Sequence, residues 1–258
     1  MIRTTLAVAA SGSVLLFASL ASAQQEAARE YTYSFRDRRP AESPQSVAIE
    51  LRVGRYVPNV DSEFSGAGPG PYQQMFGDSN RYSIGFEVDY QALRIPFLGT
   101  LGPGFGFGYT KVTANSFVTP SVTRRSDGEE TALTILPMYL VAVLRADVFA
   151  RETPVPLVPY AKLGLGFAPW TISNGGGTSS VDGSVGRGIS YGPQFALGGM
   201  FLLDSIDATS AKEMDVNAGV NNSYVFVEWY VSSLNGFGSG NQLQVGTNTW
   251  VLGLALEM

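Results

Sequence analysis

The sequence predicts an all-β fold: an eight-stranded antiparallel up-and-down transmembrane β-barrel. Three observations predict it. Eight segments of roughly 9–14 residues alternate large apolar with small or polar side chains, the period of two that a strand imposes. The charges at Glu50, Glu87, Lys162 and Glu228 in these segments oppose the large apolar residues. The chain also opens with an export signal, and no later apolar run is long enough to cross a bilayer as a helix.

The signal is readable residue by residue. Arg3 gives a positive start, residues 6–20 are largely apolar, and Ala21-Ser22-Ala23 is an A-x-A cleavage site. Residues 1–23 are therefore expected to be a signal peptide cut after Ala23. A transmembrane helix here is the alternative, and the short apolar stretch and the cleavage site argue against it. Residues 24–45 are polar, with Arg36, Arg38 and Arg39, and read as a flexible periplasmic leader. Residues 46–258 make the barrel. The absence of Cys and His removes disulfides, thiolates and the commonest general base and metal ligand. A net charge of −5 argues against nucleic acid as a partner. A mean hydropathy of +0.07 suits a barrel whose polar lumen dilutes an apolar outer wall.

The first strand is expected over 47–56, with Val47, Ile49, Leu51 and Val53 outward and Glu50 and Arg52 in the lumen. Placing Arg52 in lipid would cost roughly 2–4 kcal/mol at the midplane. A long loop, 57–80, follows. The second strand, 81–91, turns Tyr82, Ile84, Phe86, Val88 and Tyr90 outward and Glu87 and Asp89 inward. The third, 101–112, alternates Phe105, Phe107 and Tyr109 with glycines 102, 104, 106 and 108, and a loop is expected over 113–130. The fourth, 131–144, is apolar on both faces, so its facing is ambiguous. The fifth, 157–170, opposes Lys162 to Leu163, Leu165 and Phe167; a loop over 171–187 follows. The sixth, 188–203, leads into a polar connection, 204–219, with a helical turn or two near 208–214. The seventh, 223–233, sets Glu228 inward with Tyr224, Phe226 and Tyr230, against Val225, Val227, Trp229 and Val231. After a loop over 234–247 comes the last strand, 250–258, with Trp250, Leu252, Leu254, Leu256 and Met258 on one face and Val251, Gly253, Ala255 and Glu257 on the other. Tyr82, Tyr90, Tyr109, Trp229 and Trp250 are candidate interface aromatics.

Several blocks carry a family resemblance: AIELRVGRYVPNVDSEF (48–64), PYQQMFG (71–77), GPGFGFGYT (102–110), YVFVEWYVSSLNGFG (224–238) and TWVLGLALEM (249–258). The chain resembles a family of outer-membrane β-barrel proteins of unknown function from myxobacteria and related deltaproteobacteria. The resemblance implies a small barrel in the outer membrane of a Gram-negative bacterium. It implies no established activity and no functional residues. Residues 250–258 also look like the C-terminal strand by which such barrels are recognised for assembly, except that they end in Met258 where that pattern usually ends in Phe or Trp. Outer-membrane lipid and the barrel assembly machinery are the partners this implies.

Seven charges define the candidate site: Glu50, Arg52, Glu87, Asp89, Lys162, Glu228 and Glu257, a lumen network with an acidic excess. The first reading is a plug of ion pairs. The second is a narrow, porin-like channel for cations, small solutes or hydrophobic compounds. A soluble barrel of inverted facing is disfavoured by the charges opposite the large apolar faces. No enzyme is expected, because outer-membrane hydrolases resemble sites that use His, and Glu87 with Asp89 is explained by lumen pairing. No cofactor is expected. Asp61, Glu63, Asp78 and the acidic residues of 127–130 are candidate calcium ligands at loop tips. The favoured function is a non-enzymatic outer-membrane anchor that presents the loops 57–80, 113–130, 171–187 and 234–247 for surface interaction.

Overall fold

The computed structural model describes residues 46–64, 68–77, 81–119, 122–175, 177–181, 184–239 and 242–258. The signal peptide and leader expected over 1–45 lie outside the described residues. Among the described residues nine longer strands build the wall: β1 Val47–Arg55, β2 Tyr82–Tyr90, β3 Gly99–Thr119, β4 Val122–Ile135, β5 Met138–Arg145, β6 Leu157–Asn174, β7 Arg187–Leu202, β8 Asn222–Ser232 and β9 Thr247–Glu257; two short strands, Leu93–Ile95 and Gly177–Thr178, pair at its ends. β4 and β5 are one stave interrupted at Leu136-Pro137, because a proline cannot donate to the ladder. Gly108 N bonds to Pro137 O across the break at 2.7 Å, and the stave continues. The eight staves pair antiparallel with their sequence neighbours, and β9 pairs with β1, so the sheet closes.

Closure can be followed along one row of paired residues. Val225 lies opposite Leu254, then Leu51, Phe86, Phe107, Met138, Phe167 and Tyr191. Every member of this row is apolar and points outward. Val225 also pairs with Phe201 of β7. The row therefore returns to β7 at Tyr191 and not at Phe201, ten residues along the strand. That stagger tilts the strands and opens just enough interior for side chains. Leu163, Leu165, Ile189, Leu252 and Trp250 are each more than half exposed, while Glu50, Glu87 and Glu228 are fully buried. The large apolar side chains face outward and these charges inward, as the period-two reading expects. Among the described residues no helix is long and apolar enough to cross a membrane.

The staves differ from the sequence expectation mainly in length. The segment 113–130, expected as a loop, is mostly strand: β3 runs to Thr119 and β4 starts at Val122. Thr113 pairs with Ala132 and Asn115 with Glu130, with register shifts beyond. β-branched residues there (Thr113, Val118) favour the extended state. β6 likewise reaches Asn174, four residues past the expected end. The 204–219 connection carries a short 3-10 turn and helix α3 (Ala208–Ala218), after α1 (Pro71–Phe76) and α2 (Val148–Glu152).

Candidate functional site

The lumen is filled at two levels. The level nearer the chain termini is a layer of charges. Glu50 of β1 is its hub. Its carboxylate accepts from Arg52 Nη1 at 2.7 Å, from Arg145 Nη2 at 2.9 Å and from Lys162 Nζ at 2.7 Å. Arg52 also pairs with Glu87 at 2.6 Å and with Glu228. Lys162 pairs with Glu87 at 2.7 Å. Arg145 reaches Asp89 and, at 3.2 Å, Glu257. Phenols complete the acceptors: Tyr139 donates to Glu87 at 2.6 Å, Tyr160 to Glu228 at 2.9 Å and Tyr224 to Glu257 at 2.9 Å. Arg52 lies 5.8 Å over the Tyr139 ring and 5.6 Å over Phe226. Charges this deeply buried are tolerable only when paired and hydrogen-bonded together.

Glycine makes room for this layer. A Cβ on Gly106 would stand 2.2 Å from Tyr139 Cζ, and one on Gly198 2.6 Å from Tyr160 Cζ. The rings occupy the space where the glycines leave no side chain. The glycine-lined inner face is thus a close-packing device, small residues beside large ones in a narrow barrel.

The second level, at the loop end, is apolar and comes from connections. Tyr56, Val60, Tyr72, Leu234 and Val245 pack with Val112, Leu133, Ile135 and Ala168 of the wall. Tyr56 donates to Val245 O at 2.6 Å, and Asn59 N to Gly246 O at 2.8 Å, which ties the first connection to the last. Helix α1 is held at both ends. Asp61 accepts from Tyr72 N at 2.7 Å and Gln73 N at 2.9 Å. Arg81 donates to Phe76 O and Gly77 O, and Arg125 of the long hairpin donates to Gln74 O at 2.9 Å. These contacts meet a helix's orphan N–H groups and carbonyls with charges of the favourable sign. Burial in this plug pushes the Tyr72 phenol above its ordinary pKa, against the pull of Arg81. Between the two levels a space of about 50 Å³ remains, lined by Arg52, Tyr56, Ser83, Gly85, Tyr139 and Tyr230 among others.

All seven charges singled out from sequence lie in the charge layer. Tyr82, Tyr90, Tyr109, Trp229 and Trp250 are exposed on the outer wall, Tyr90 toward the terminal end and the others toward the loop end. Arg145 was missing from the sequence reading. It closes β5 in phase with Tyr139, Val141 and Val143, all buried. Its charge is the signal that assigns that stave's facing, as Glu228 does for β8. The loops 57–80 and 234–247, expected to present an outward surface, instead send Val60, Tyr72, Leu234 and Val245 into the mouth. As for calcium, both Asp61 oxygens are taken by α1, and Asp78 lies outside the described residues. Glu50, Glu87 and Asp89 bring carboxylate oxygens within 4.8 Å of one another, and Arg52, Arg145 and Lys162 already supply the neighbouring positive charge.

No protein-family model matches the chain, and no curated protein matches it. Solved structures of similar shape exist. One is Ail, the attachment invasion locus protein of Yersinia pestis, at 15% identity and a TM-score of 0.42, covering 84% of this chain and 100% of that one. The outer membrane protein OprG from Pseudomonas aeruginosa aligns at 11% identity and a TM-score of 0.47, over 84% of this chain and 98% of OprG. The N-terminal β-barrel domain of Pseudomonas aeruginosa OprF aligns at 12% identity and a TM-score of 0.36, over 83% of this chain and all of the domain.

Proposed function

We propose that the protein is an outer-membrane β-barrel of a Gram-negative envelope that works as a non-conducting anchor and presents its loop end to the exterior. Residues 250–258 are the segment read by the barrel assembly machinery in this proposal. A continuous outer wall of exposed Leu, Val, Phe and Trp is a liability in water and a natural surface for acyl chains. The observation that carries the anchor reading is the double closure of the lumen. A permeating ion would have to displace the apolar plug and then break the ion pairs around Glu50. The surface offered outward is then the long β3–β4 hairpin with Arg124, Asp127, Glu129 and Glu130 exposed, together with the outer side of the plug.

The test is heat-modifiable gel mobility of the refolded mature chain, followed by single-channel recording on the same sample. A mobility shift without conductance supports the anchor. Discrete openings whose cation preference changes in Glu87→Gln would overturn it in favour of a narrow channel that uses the space beneath Tyr56. Absence of a shift, with the chain free in the periplasm, would sink the membrane reading.

A further inference from the structure

Immediately beyond the apolar belt at the loop end, the outer wall carries cations. On β1 the outward series Leu51, Val53 ends in Arg55, and on β3 the series Phe105, Phe107, Tyr109 ends in Lys111; both cations are exposed. Arg55 lies opposite Tyr82 of the intervening β2. Ile84 lies opposite Tyr109, which brings Lys111 to the level of Tyr82 on its other side. Thr110 Oγ1 donates to Tyr82 O at 3.2 Å and holds that seam. Arg55, Tyr82 and Lys111 therefore form one outward row on three adjacent strands, about 4.8 Å apart from strand to strand.

Neither cation takes part in an ion pair among the described residues. From Lys111 the row continues through Thr134 and Thr171, both neutral. The next outward carboxylate, Glu130, lies opposite Asn115, four residues farther along β3 than Lys111. A guanidinium and an ammonium on either side of a phenol supply charge-assisted and neutral donors to one anion. Directly below, Val53, Ile84 and Tyr109 are exposed and apolar or aromatic. The combination of anion donors above and a greasy track below on the same three strands matches a phosphate that carries acyl chains, and not a free ion.

We propose that Arg55, Tyr82 and Lys111 bind a phosphate group of a phosphorylated glycolipid in the outward-facing leaflet, with its acyl chains along Val53, Ile84 and Tyr109. The proposal rests on the orientation given under Proposed function, loop end outward. Basic side chains near a membrane surface contribute about 1 kcal/mol each toward anionic lipid. Loss of both cations should therefore weaken retention roughly thirtyfold.

The probe is bis-phosphorylated lipid A, with its enzymatically dephosphorylated form and inorganic phosphate as controls. The mature chain and its Arg55→Gln/Lys111→Gln variant are refolded in the same detergent and lipid adducts are counted by native mass spectrometry. The expected result is phosphorylated lipid retained by the wild type, lost by the variant, and the dephosphorylated lipid retained weakly and equally by both. Equal retention of phosphorylated lipid by two chains that both show the heat-modifiable shift overturns the site while leaving the barrel reading intact. Displacement of the lipid by an equal concentration of inorganic phosphate overturns the lipid as ligand. Failure of the wild type to show the shift removes the membrane reading, and the site with it.

Discussion

The two fillings of the lumen are built in opposite ways. The charge layer is made of strand residues whose positions follow from register: Glu50 opposite Glu87 and Ala255, Ala48 opposite Asp89 and Glu257. The apolar plug is made of connections, anchored by Tyr56, Asp61, Arg81 and Arg125 at specific atoms. One is rigid because the barrel is rigid. The other is drawn mainly from segments outside the paired strands, such as Val60, Tyr72, Leu234 and Val245. Stability and closure are therefore expected to respond to different substitutions.

The largest effect is expected at the hub. Glu50→Ala removes the shared partner of Arg52, Arg145 and Lys162 and should cost about 3–5 kcal/mol, read as loss of the heat-modifiable form at a lower temperature or denaturant concentration. Gly106→Ala should cost about 1–3 kcal/mol, because Tyr139 must leave its rotamer to clear the new methyl; the same assay checks it. Asp61→Ala should cost about 1 kcal/mol, and only locally. Hydrogen exchange at Tyr72 and Gln73 should accelerate while the barrel's melting is unchanged. A fall in melting as large as that of Gly106→Ala would show the two levels to be one cooperative unit. Asp89→Asn sharpens the comparison within the charge layer. Asp89 Oδ1 has no hydrogen-bond partner and the layer holds more carboxylates than cations, so this change should stay within about 1 kcal/mol of the wild type.

The smallest effect concerns the terminal end. Asp207 caps α3, accepting from Thr209 N at 3.0 Å and Ser210 N at 3.1 Å. Hydrogen bonds from the Ser210 hydroxyl and from these backbone amides hold its carboxyl below the usual range. Its contribution is therefore complete above the unfolded aspartate value, about 3.9, and is lost as pH falls through the lower folded value. Amide exchange in α3 should rise relative to the barrel in that acidic window, and in Asp207→Ala it should be raised at neutral pH as well.

What could be read from sequence follows the same division. Strand facing was legible wherever a charge broke the tie between two faces, as at Glu50, Glu87, Lys162 and Glu228. It failed between Ile135 and Leu144, where both faces are apolar and the deciding Arg145 stands one residue past the expected end. The plug was not legible, because Leu234 and Val245 sit in connections with no periodicity to say which way they point. Nothing in the spacing of Asp61 and Pro71 says that ten residues of chain will return to let one cap the other. Gly70 is the only local trace: a Cβ there would stand 2.3 Å from Asp61 Cγ.

The charge layer draws on six of the eight staves: β1, β2, β5, β6, β8 and β9, the first and the last among them. A sheet that has not yet joined β9 to β1 therefore separates Arg52 of β1 from Glu228 of β8, and Arg145 from Glu257 of β9. Such an intermediate carries unmatched ions at its open edge, and each is expensive to move past hydrocarbon. Under the membrane reading proposed above, a chain whose last strand is mispaired or truncated would carry these ions unmatched into the bilayer, so the ions that fill the finished lumen would also disfavour an unfinished barrel.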